Sequence, residues 1–454
     1  MKPRPPLPPG PFLVVGLARS GVAAALALRE CGEEVIGCDA AAPDVSALRE
    51  RGVEAYVSDD GLALVERCRT VVKSPGVPQQ APAVTHARAK GLTVIGELEL
   101  AWRLIAHEWV AVTGTNGKTT TVELLGHLHR EAGLPVAVAG NVGTAAASLV
   151  GALPAGATVV CEASSFQLED TQAFAPECAA LLNLSEDHLD RHGTMDAYLA
   201  AKLQAFARQG NDDVAVAPCG LGVEDLGATA ETTGRARRSI SLGGRARRIC
   251  FGETPEAELA DRAGQLWWAG EPLIGVEEIR LRGPHNRANA MAAATVALAR
   301  GMPREVVADG LRSFPGVAHR LEEVGRDGIL YVNDSKATNV ASTVVALRSF
   351  DRGVHAILGG RGKGGGYQAL RDDVRARCAG IYLIGEEAAA IGADLAGLGV
   401  PLTLCGDLTQ AVDAARSHGL PGAVVLLSPA CTSFDQYRDF EERGEHFRAL
   451  ARAV

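Results

Sequence analysis

Lysine is scarce in this chain. Of 45 basic residues only seven are lysine, at positions 2, 73, 90, 118, 202, 336 and 363; the rest are arginine. Arginine serves wherever a generic positive charge suffices. Lys118, Lys202, Lys336 and Lys363 lie in Gly-, Asn- or His-rich surroundings, a pointer to places that need a compact ammonium or a reactive amine, with chance in a small sample as the alternative. Cysteine occurs ten times but never as C-x-x-C, which argues against zinc sites and disulfide frameworks and predicts free thiols in a reducing cytoplasm. Excess positive charge is missing too. A formal net charge of −9 disfavours general affinity for nucleic acid or anionic membranes, so small anionic substrates must be met by local basic sites. No uninterrupted apolar run approaches the roughly 18 residues of a membrane helix. The first residues, MKPRPPLPPGPF, lack the apolar core of a signal peptide and read as a short disordered lead-in. A soluble, monomeric protein without membrane or nucleic-acid partners is expected.

What is present is a repeated rhythm of short apolar runs and helical patterns, the mark of βα units and parallel sheets. The first block holds strands at PFLVVG (11–16), EEVIGCD and TVVKSPG. The second opens on WVAVTG (109–114) and continues through PVAVAGN, ATVVCEA and CAALLNL. After about residue 212 the rhythm weakens. The duplicated RARR of 233–250 reads as a pair of exposed strands or a loop; a nucleic-acid patch is the weaker alternative, because the rest of the chain is acidic and no aromatics interleave. A long helical pattern, HNRANAMAAATVALARG, precedes SFPGVAHR, and the last block resumes with ILYVNDSK, HAILGGRGKGG, IYLIGEE, LTLCGD and AVVLLSPAC. At 454 residues, about three α/β domains are expected, at 1–108, 109–316 and 317–454.

The clearest chemical signal is GTNGKTT, Gly114, Thr115, Asn116, Gly117, Lys118, Thr119 and Thr120. It follows an apolar strand and opens a helical pattern, the setting in which backbone N–H groups and a helix dipole meet a phosphate. Measured against G-x-x-x-x-G-K-[ST] the loop is two residues short, since Val112 stands where the first glycine should be. Lys118 would reach the β and γ phosphates, and Thr119 or Thr120 would offer a hydroxyl to Mg²⁺; a plain glycine turn is the alternative. Glu162 ends the strand ATVVCE and is a candidate metal carboxylate, or else a solvated turn residue. NLSEDHLDRHG packs acids and histidines after a strand, so His188 could hold a second metal or a phosphate oxygen, with Lys202 on the following helix; a solvated charged face is the other reading. In the first block, Gly16, Ala18 and Gly21 of GLARSG with Asp39 resemble a dinucleotide fingerprint lacking one glycine. The signal for NAD is weak, and what remains is a diphosphate-binding turn at a helix start. VNDSKATN, LGGRGKGGG and LSPACTSFD all lie at predicted strand ends, where Asp334, Lys336 and Lys363 would face a nucleotide or an acidic substrate.

GTNGKTT, GNVG, EASSFQL, NLSEDHLDRHG, PHNRAN, HRLE, NDSKATN and LSPACTSFDQY follow one another as in the Mur ligases of peptidoglycan synthesis, and the resemblance covers essentially the whole chain. Within that family SSFQL, DSKATN and SPACTSFDQ resemble the branch that adds D-glutamate to UDP-N-acetylmuramoyl-L-alanine. The resemblance implies a Rossmann-like N-terminal domain, a central P-loop ATPase domain and a Rossmann-like C-terminal domain that binds the amino acid and closes over ATP. It implies ATP and Mg²⁺, two metal sites, and an acyl-phosphate intermediate. Lys118 would contact the γ-phosphate; Thr119 and Glu162 would hold Mg²⁺; His188 and a carbamylated Lys202 would serve a second ion. Asn286, Asn289, Arg320, Asp334 and Lys336 would complete the ATP site. Ala18, Arg19, Ser20, Asp39, Ser74 and Gly76 would meet the uridine diphosphate, and Asn141, Ser164 and Gln167 the muramoyl part. Thr338, Lys363, Ser433 and Phe440 would hold D-glutamate. Ala163 replaces the more usual Leu of E-L-S-S, and Ala40-Ala41 after Asp39 leave the uracil without an evident partner. Other Mur-type steps and folylpolyglutamate synthesis are the alternatives within the superfamily.

Overall fold

A computed structural model describes residues 2–141, 143–223, 238–281, 283–362, 364 and 366–452. Its contacts divide the chain into two compact units, Met1–Ile279 with Ala288–Ser313, and Arg280–Arg287 with Phe314–Val454.

The first unit contains two large sheets. β1 (Phe12–Val15), β2 (Val35–Asp39), β3 (Glu54–Val57), β4 (Thr70–Lys73) and β5 (Thr93–Gly96) form a parallel sheet ordered β3-β2-β1-β4-β5. FLVV is buried at all four positions, as a central parallel strand covered on both faces requires. The second sheet contains β6 (Glu108–Thr113), β7 (Val136–Gly140), β8 (Thr158–Glu162), β9 (Cys178–Leu181) and β10 (Val214–Pro218). β11 (Gly222–Val223) and β12 (Arg238–Ser239) pair with each other instead, and β13 (Arg247–Gly252), β14 (Leu259–Arg262), β15 (Gln265–Trp268) and β16 (Glu271–Gly275) extend the large sheet. Its order is β16-β15-β14-β13-β10-β9-β6-β8-β7, antiparallel only at β14-β15-β16. One apolar cluster joins the two sheets, centred on Trp102, Trp109 and Phe174. Phe174 meets both indole rings edge-on, at centroid distances of 5.9 and 6.1 Å.

The second unit carries a sheet of β17 (Glu322–Asp327), β18 (Ile329–Asn333), β19 (Val354–Gly359), β20 (Cys378–Ile384), β21 (Leu402–Gly406) and β22 (Val424–Leu427). The order is β17-β18-β22-β19-β20-β21, with β17 antiparallel to the rest.

Three sequence expectations are corrected. The proline-rich start is held in place: Lys2 donates to Asp213 at 2.6 Å, and the Arg4 guanidinium lies 4.5 Å from the Trp102 ring centroid. Proline composition hid these two cations and their distant partners. Cys219 and Cys250 form a disulfide, with Cα atoms 4.9 Å apart. Parallel pairing of Pro218 with Phe251 brings the two cysteines, 31 apart in sequence, side by side, which no local cysteine motif could announce. The second RARR leads into a strand inside the sheet: β13 pairs with both β10 and β14, and buries Ile249 and Phe251. Residues 233–237 of that stretch lie outside the described residues. Among the described residues no helix is long and apolar enough to cross a membrane.

Candidate active site

Asp39, Gly114, Glu162 and Asp334 fall at or just beyond the carboxyl ends of their strands, where an open α/β sheet forms its ligand crevice. In the first sheet the strand order reverses between β1 and β4. There a cavity of about 470 Å³ opens, lined by Ala18, Arg19, Ser20, Asp39, Ser74, Gly76, Asn141 and Gln167 among others. The helix Arg19–Glu30 starts at this cavity with no side-chain cap and no acid in its first turn, leaving its first N–H groups for an anion. Gly21 permits the approach: a Cβ there would lie 1.7 Å from the carbonyl oxygen of Gly16. Ser74 donates its hydroxyl to that same carbonyl at 2.7 Å. Asp39 braces the turn, its two oxygens accepting from the amides of Leu17 and Ala41 at 2.7 and 2.8 Å.

Ser164 is used differently. It caps the short helix Ser165–Leu168 in a capping box with Gln167, whose Oε1 accepts from the Ser164 amide and hydroxyl at 3.0 Å. Gln167 lines the cavity, and its side chain also hydrogen-bonds the buried Glu97 behind it. Sequence reasoning missed Asp59 and Asp60, which also line the cavity. The signal was there: they follow directly on β3, at the same sheet edge as the other residues.

The phosphate loop leaves β6, flanked by β8 and β9. It is laced to the NLSEDH segment that leaves β9. The Asn116 amide donates to Asn183 Oδ1 at 2.9 Å and Asn183 Nδ2 returns a bond to the Asn116 carbonyl at 2.9 Å, while the Thr115 hydroxyl meets the Ser185 carbonyl at 3.1 Å. The helix Lys118–Glu131 again begins with no side-chain cap and no acid in its first turn. Lys118 Nζ donates to the carbonyls of Gly114 and Thr115 at 3.1 and 3.0 Å. Lys202, only 1% exposed, donates to the same Gly114 carbonyl at 2.7 Å. Burial, and secondarily the charge of Lys118, lower the Lys202 pKa from 10.5 to about 7.

Thr119 donates its hydroxyl to Glu162 Oε2 at 2.8 Å, and Asn141 Nδ2 donates to Glu162 Oε1 at 3.1 Å. The Thr120 hydroxyl is buried with no protein partner. Among the described residues no three His, Cys, Asp or Glu side chains form a ready-made metal cage. Mg²⁺ asks for less: one or two carboxylates with phosphate and water oxygens suffice, and the hydroxyl–carboxylate pair of Thr119 and Glu162 has that chemistry. His188 adopts a left-handed backbone, φ 53°, before the helix Leu189–His192. Its ring lies beside Phe166 at a centroid distance of 4.7 Å, and its Nε2 is 3.4 Å from Asp187.

Within the second unit, Asp334 follows β18 and accepts from the Ser428 hydroxyl at 2.8 Å and the Leu321 amide at 3.2 Å. Burial raises its pKa to about 7, against Ser428 and Arg320, which pull it down. Arg443 is almost fully buried and ties two loops together, donating to Ser335 Oγ at 3.0 Å and to the carbonyls of Ser335, Cys431 and Thr432 at 2.9, 3.1 and 3.2 Å. Sequence reasoning assigned it no role. Its clamp ties together the loops that carry Lys336, Thr338 and Ser433, and Lys336 Nζ lies 5.6 Å from the ring centroid of Phe440, the first residue of the helix Phe440–Arg452. Asn286 and Asn289 are buried on the helix Pro284–Ala299. Lys363 lies outside the described residues.

Residues 112–297 match the Mur ligase middle domain and residues 319–431 the Mur ligase, glutamate ligase domain. The chain is 41% identical to a UDP-N-acetylmuramoylalanine--D-glutamate ligase of Acidobacterium capsulatum over 97% of this chain and 96% of that one. It is 42% identical to the protein of the same name from Anaeromyxobacter dehalogenans, over 96% of each. Among solved structures, the fold resembles UDP-N-acetylmuramate-alanine ligase MurC from Thermotoga maritima, with a TM-score of 0.59 at 19% identity, covering 98% of this chain and 100% of that one. MurF from Acinetobacter baumannii gives a TM-score of 0.58 at 18% identity, covering 97% and 93%. With two domain matches and near-complete coverage at these identities, the chain belongs to the Mur ligase family.

Proposed function

We propose that this protein is an ATP-dependent ligase that joins D-glutamate to UDP-N-acetylmuramoyl-L-alanine, in keeping with the name its relatives carry. The observation that carries the reading is the convergence of Lys118 and Lys202 on the Gly114 carbonyl, beside the Thr119–Glu162 pair. That arrangement suits phosphoryl transfer, where catalysis is positioning plus neutralisation of crowded charge.

The uridine diphosphate occupies the 470 Å³ cavity against the uncapped start of the helix Arg19–Glu30, with Asn141, Ser164 and Gln167 toward the muramoyl part. Lys118 exchanges its two loop carbonyls for phosphate oxygens. An oxygen of the alanyl carboxylate attacks the γ-phosphorus; the bond to the bridging oxygen breaks, and ADP leaves with the electron pair. The D-glutamate amine then attacks the acyl carbon, loses a proton and expels phosphate. Thr119 and Glu162 would hold Mg²⁺, with His188 and a carbamate on Lys202 for a second ion, and the metal supplies charge neutralisation at the phosphate oxygens. A carbamate forms only from a neutral amine, which a pKa of about 7 makes abundant at neutral pH.

Asn286, Asn289, Arg320, Asp334 and Lys336 complete the ATP site for the first step, and Thr338, Lys363, Ser433 and Phe440 hold D-glutamate for the second. We carry the division into 1–108, 109–316 and 317–454, and closure of the last over ATP, as part of this proposal. A cytoplasmic place in peptidoglycan precursor synthesis follows from the substrates. The acyl-phosphate route is tested with substrate carrying ¹⁸O in both alanyl carboxylate oxygens. One ¹⁸O per turnover should appear in released phosphate; phosphate free of label rules that route out.

A further inference from the structure

The wall of the cavity and the His188 turn are joined by the side chain of Arg191, which the phosphoryl-transfer chemistry above does not use. Arg191 stands on the helix Leu189–His192, three residues after His188, and its amide donates to the His188 carbonyl at 3.1 Å. Its Nη1 donates to the carbonyl of Pro75 at 3.0 Å; its Nη2 donates to the carbonyl of Val77 at 3.2 Å and to Glu169 at 2.5 Å. The guanidinium lies 4.4 Å from the Phe166 ring centroid, and Phe166 also packs against the His188 ring. Pro75, Gly76 and Val77 are cavity wall. The same Val77 carbonyl accepts from Lys73 at 2.9 Å, and Lys73 forms a fully buried ion pair with Asp170 at 2.8 Å. Glu169 and Asp170 follow the helix Ser165–Leu168, whose Gln167 lines the cavity. Three segments distant in sequence, 73–77, 164–170 and 188–192, thus form one bonded cluster; His192 meets Ser165 at 3.0 Å, and among the described residues Arg191 is the side chain of the turn that reaches both of the other segments.

We propose that Arg191 is a positioning residue that couples the nucleotide-diphosphate cavity to the phosphate-loop site, so that occupancy of the cavity fixes the His188 turn. The inference rests on the function proposed above. A guanidinium fork can hold two carbonyls and a carboxylate from fixed directions; an ammonium on a flexible stem cannot. Coupling of this kind is a reciprocal free energy, so each ligand must strengthen the other by the same factor.

The test is a binding cycle by titration calorimetry on the full chain, with UDP-N-acetylmuramoyl-L-alanine and a non-hydrolysable ATP analogue with Mg²⁺, each alone and each in the presence of the other. Wild type should show mutual tightening of about tenfold. In Arg191→Lys the tightening should fall below about twofold, while each ligand alone binds within about threefold of wild type. A Glu169→Gln variant, which keeps both carbonyl bonds, should retain most of the coupling, and thermal melts confirm that both variants are folded. Undiminished coupling in Arg191→Lys, or none in wild type, overturns the proposal. Failure of the functional reading itself looks different: the wild type would not bind the uridine-diphosphate substrate at all.

Discussion

Lys202 Nζ lies 2.7 Å from the carbonyl oxygen of Gly114, the residue that opens the phosphate loop, and that carbonyl also accepts from Lys118 at 3.1 Å. Burial, with the charge of Lys118 second, lowers the Lys202 pKa to about 7, so a large share of this amine is neutral near pH 7. Replacing Lys202 with Arg keeps a cation but removes the reactive amine. Turnover should fall by a hundredfold or more, on the order seen when one preorganised electrostatic group is lost. Added bicarbonate should not restore it, and full activity in Lys202→Arg refutes the carbamate.

The same pKa predicts a pH signature. After brief acid treatment, activity should return on adding bicarbonate faster at pH 8 than at pH 6, because the neutral amine becomes the major form only above about 7. Progress curves with a lag that shortens as pH rises are the readout; a pH-independent lag contradicts the assignment.

Gly117 has φ 89°, and a Cβ there would stand 2.1 Å from Asn289 Oδ1. Gly117→Ala adds both a backbone penalty of about 1 kcal/mol and a clash that pushes Asn289 away. The variant should fold with a lowered melting temperature and lose ATP binding by at least tenfold in a calorimetric titration.

Thr119 and Glu162 share a hydrogen bond of 2.8 Å, and Glu162 is 3% exposed. Thr119→Val and Glu162→Gln should each raise the Mg²⁺ concentration needed for half-maximal activity by tenfold or more, and chelation should silence the wild type reversibly. An unchanged Mg²⁺ titration in both variants removes these residues from the metal site.

Glu97 tests the buried electrostatics of the first unit. It is 1% exposed, accepts from the Ala147 amide at 2.6 Å, and is hydrogen-bonded by the Gln167 side chain. Burial raises its pKa from 4.5 to about 7. A raised folded-state pKa means that its contribution to stability is complete below about 4.5 and is lost as pH climbs through 7. Glu97→Gln should therefore melt higher than wild type at pH 8, by up to about 3 kcal/mol in stability, with the difference shrinking toward pH 5. Parallel melting curves at both pH values contradict this.

The sequence made the strand–turn–helix units legible, because a buried parallel strand is a continuous apolar run and a phosphate turn needs glycine at fixed places. GTNGKTT and GLARSG stand out for that reason, and the residues assigned to the diphosphate from Ala18 to Gly76 line one cavity. The loop that looked two residues short is a compact turn whose missing support comes from Asn183 and Ser185. What stayed hidden are pairings set by topology alone. Lys73 finds Asp170, Arg191 finds Pro75 and Cys219 finds Cys250 across spans that carry no period. Ser164 was legible as a motif residue but not as a helix cap, a role fixed by local backbone geometry.

The most direct measurement is ADP release by purified protein with ATP, Mg²⁺ and UDP-N-acetylmuramoyl-L-alanine, comparing D-glutamate with L-glutamate, diaminopimelate and L-alanine. The account predicts ADP formation that depends on D-glutamate and is matched by equal amide product. Release that ignores D-glutamate, or that follows one of the other amino acids, contradicts it.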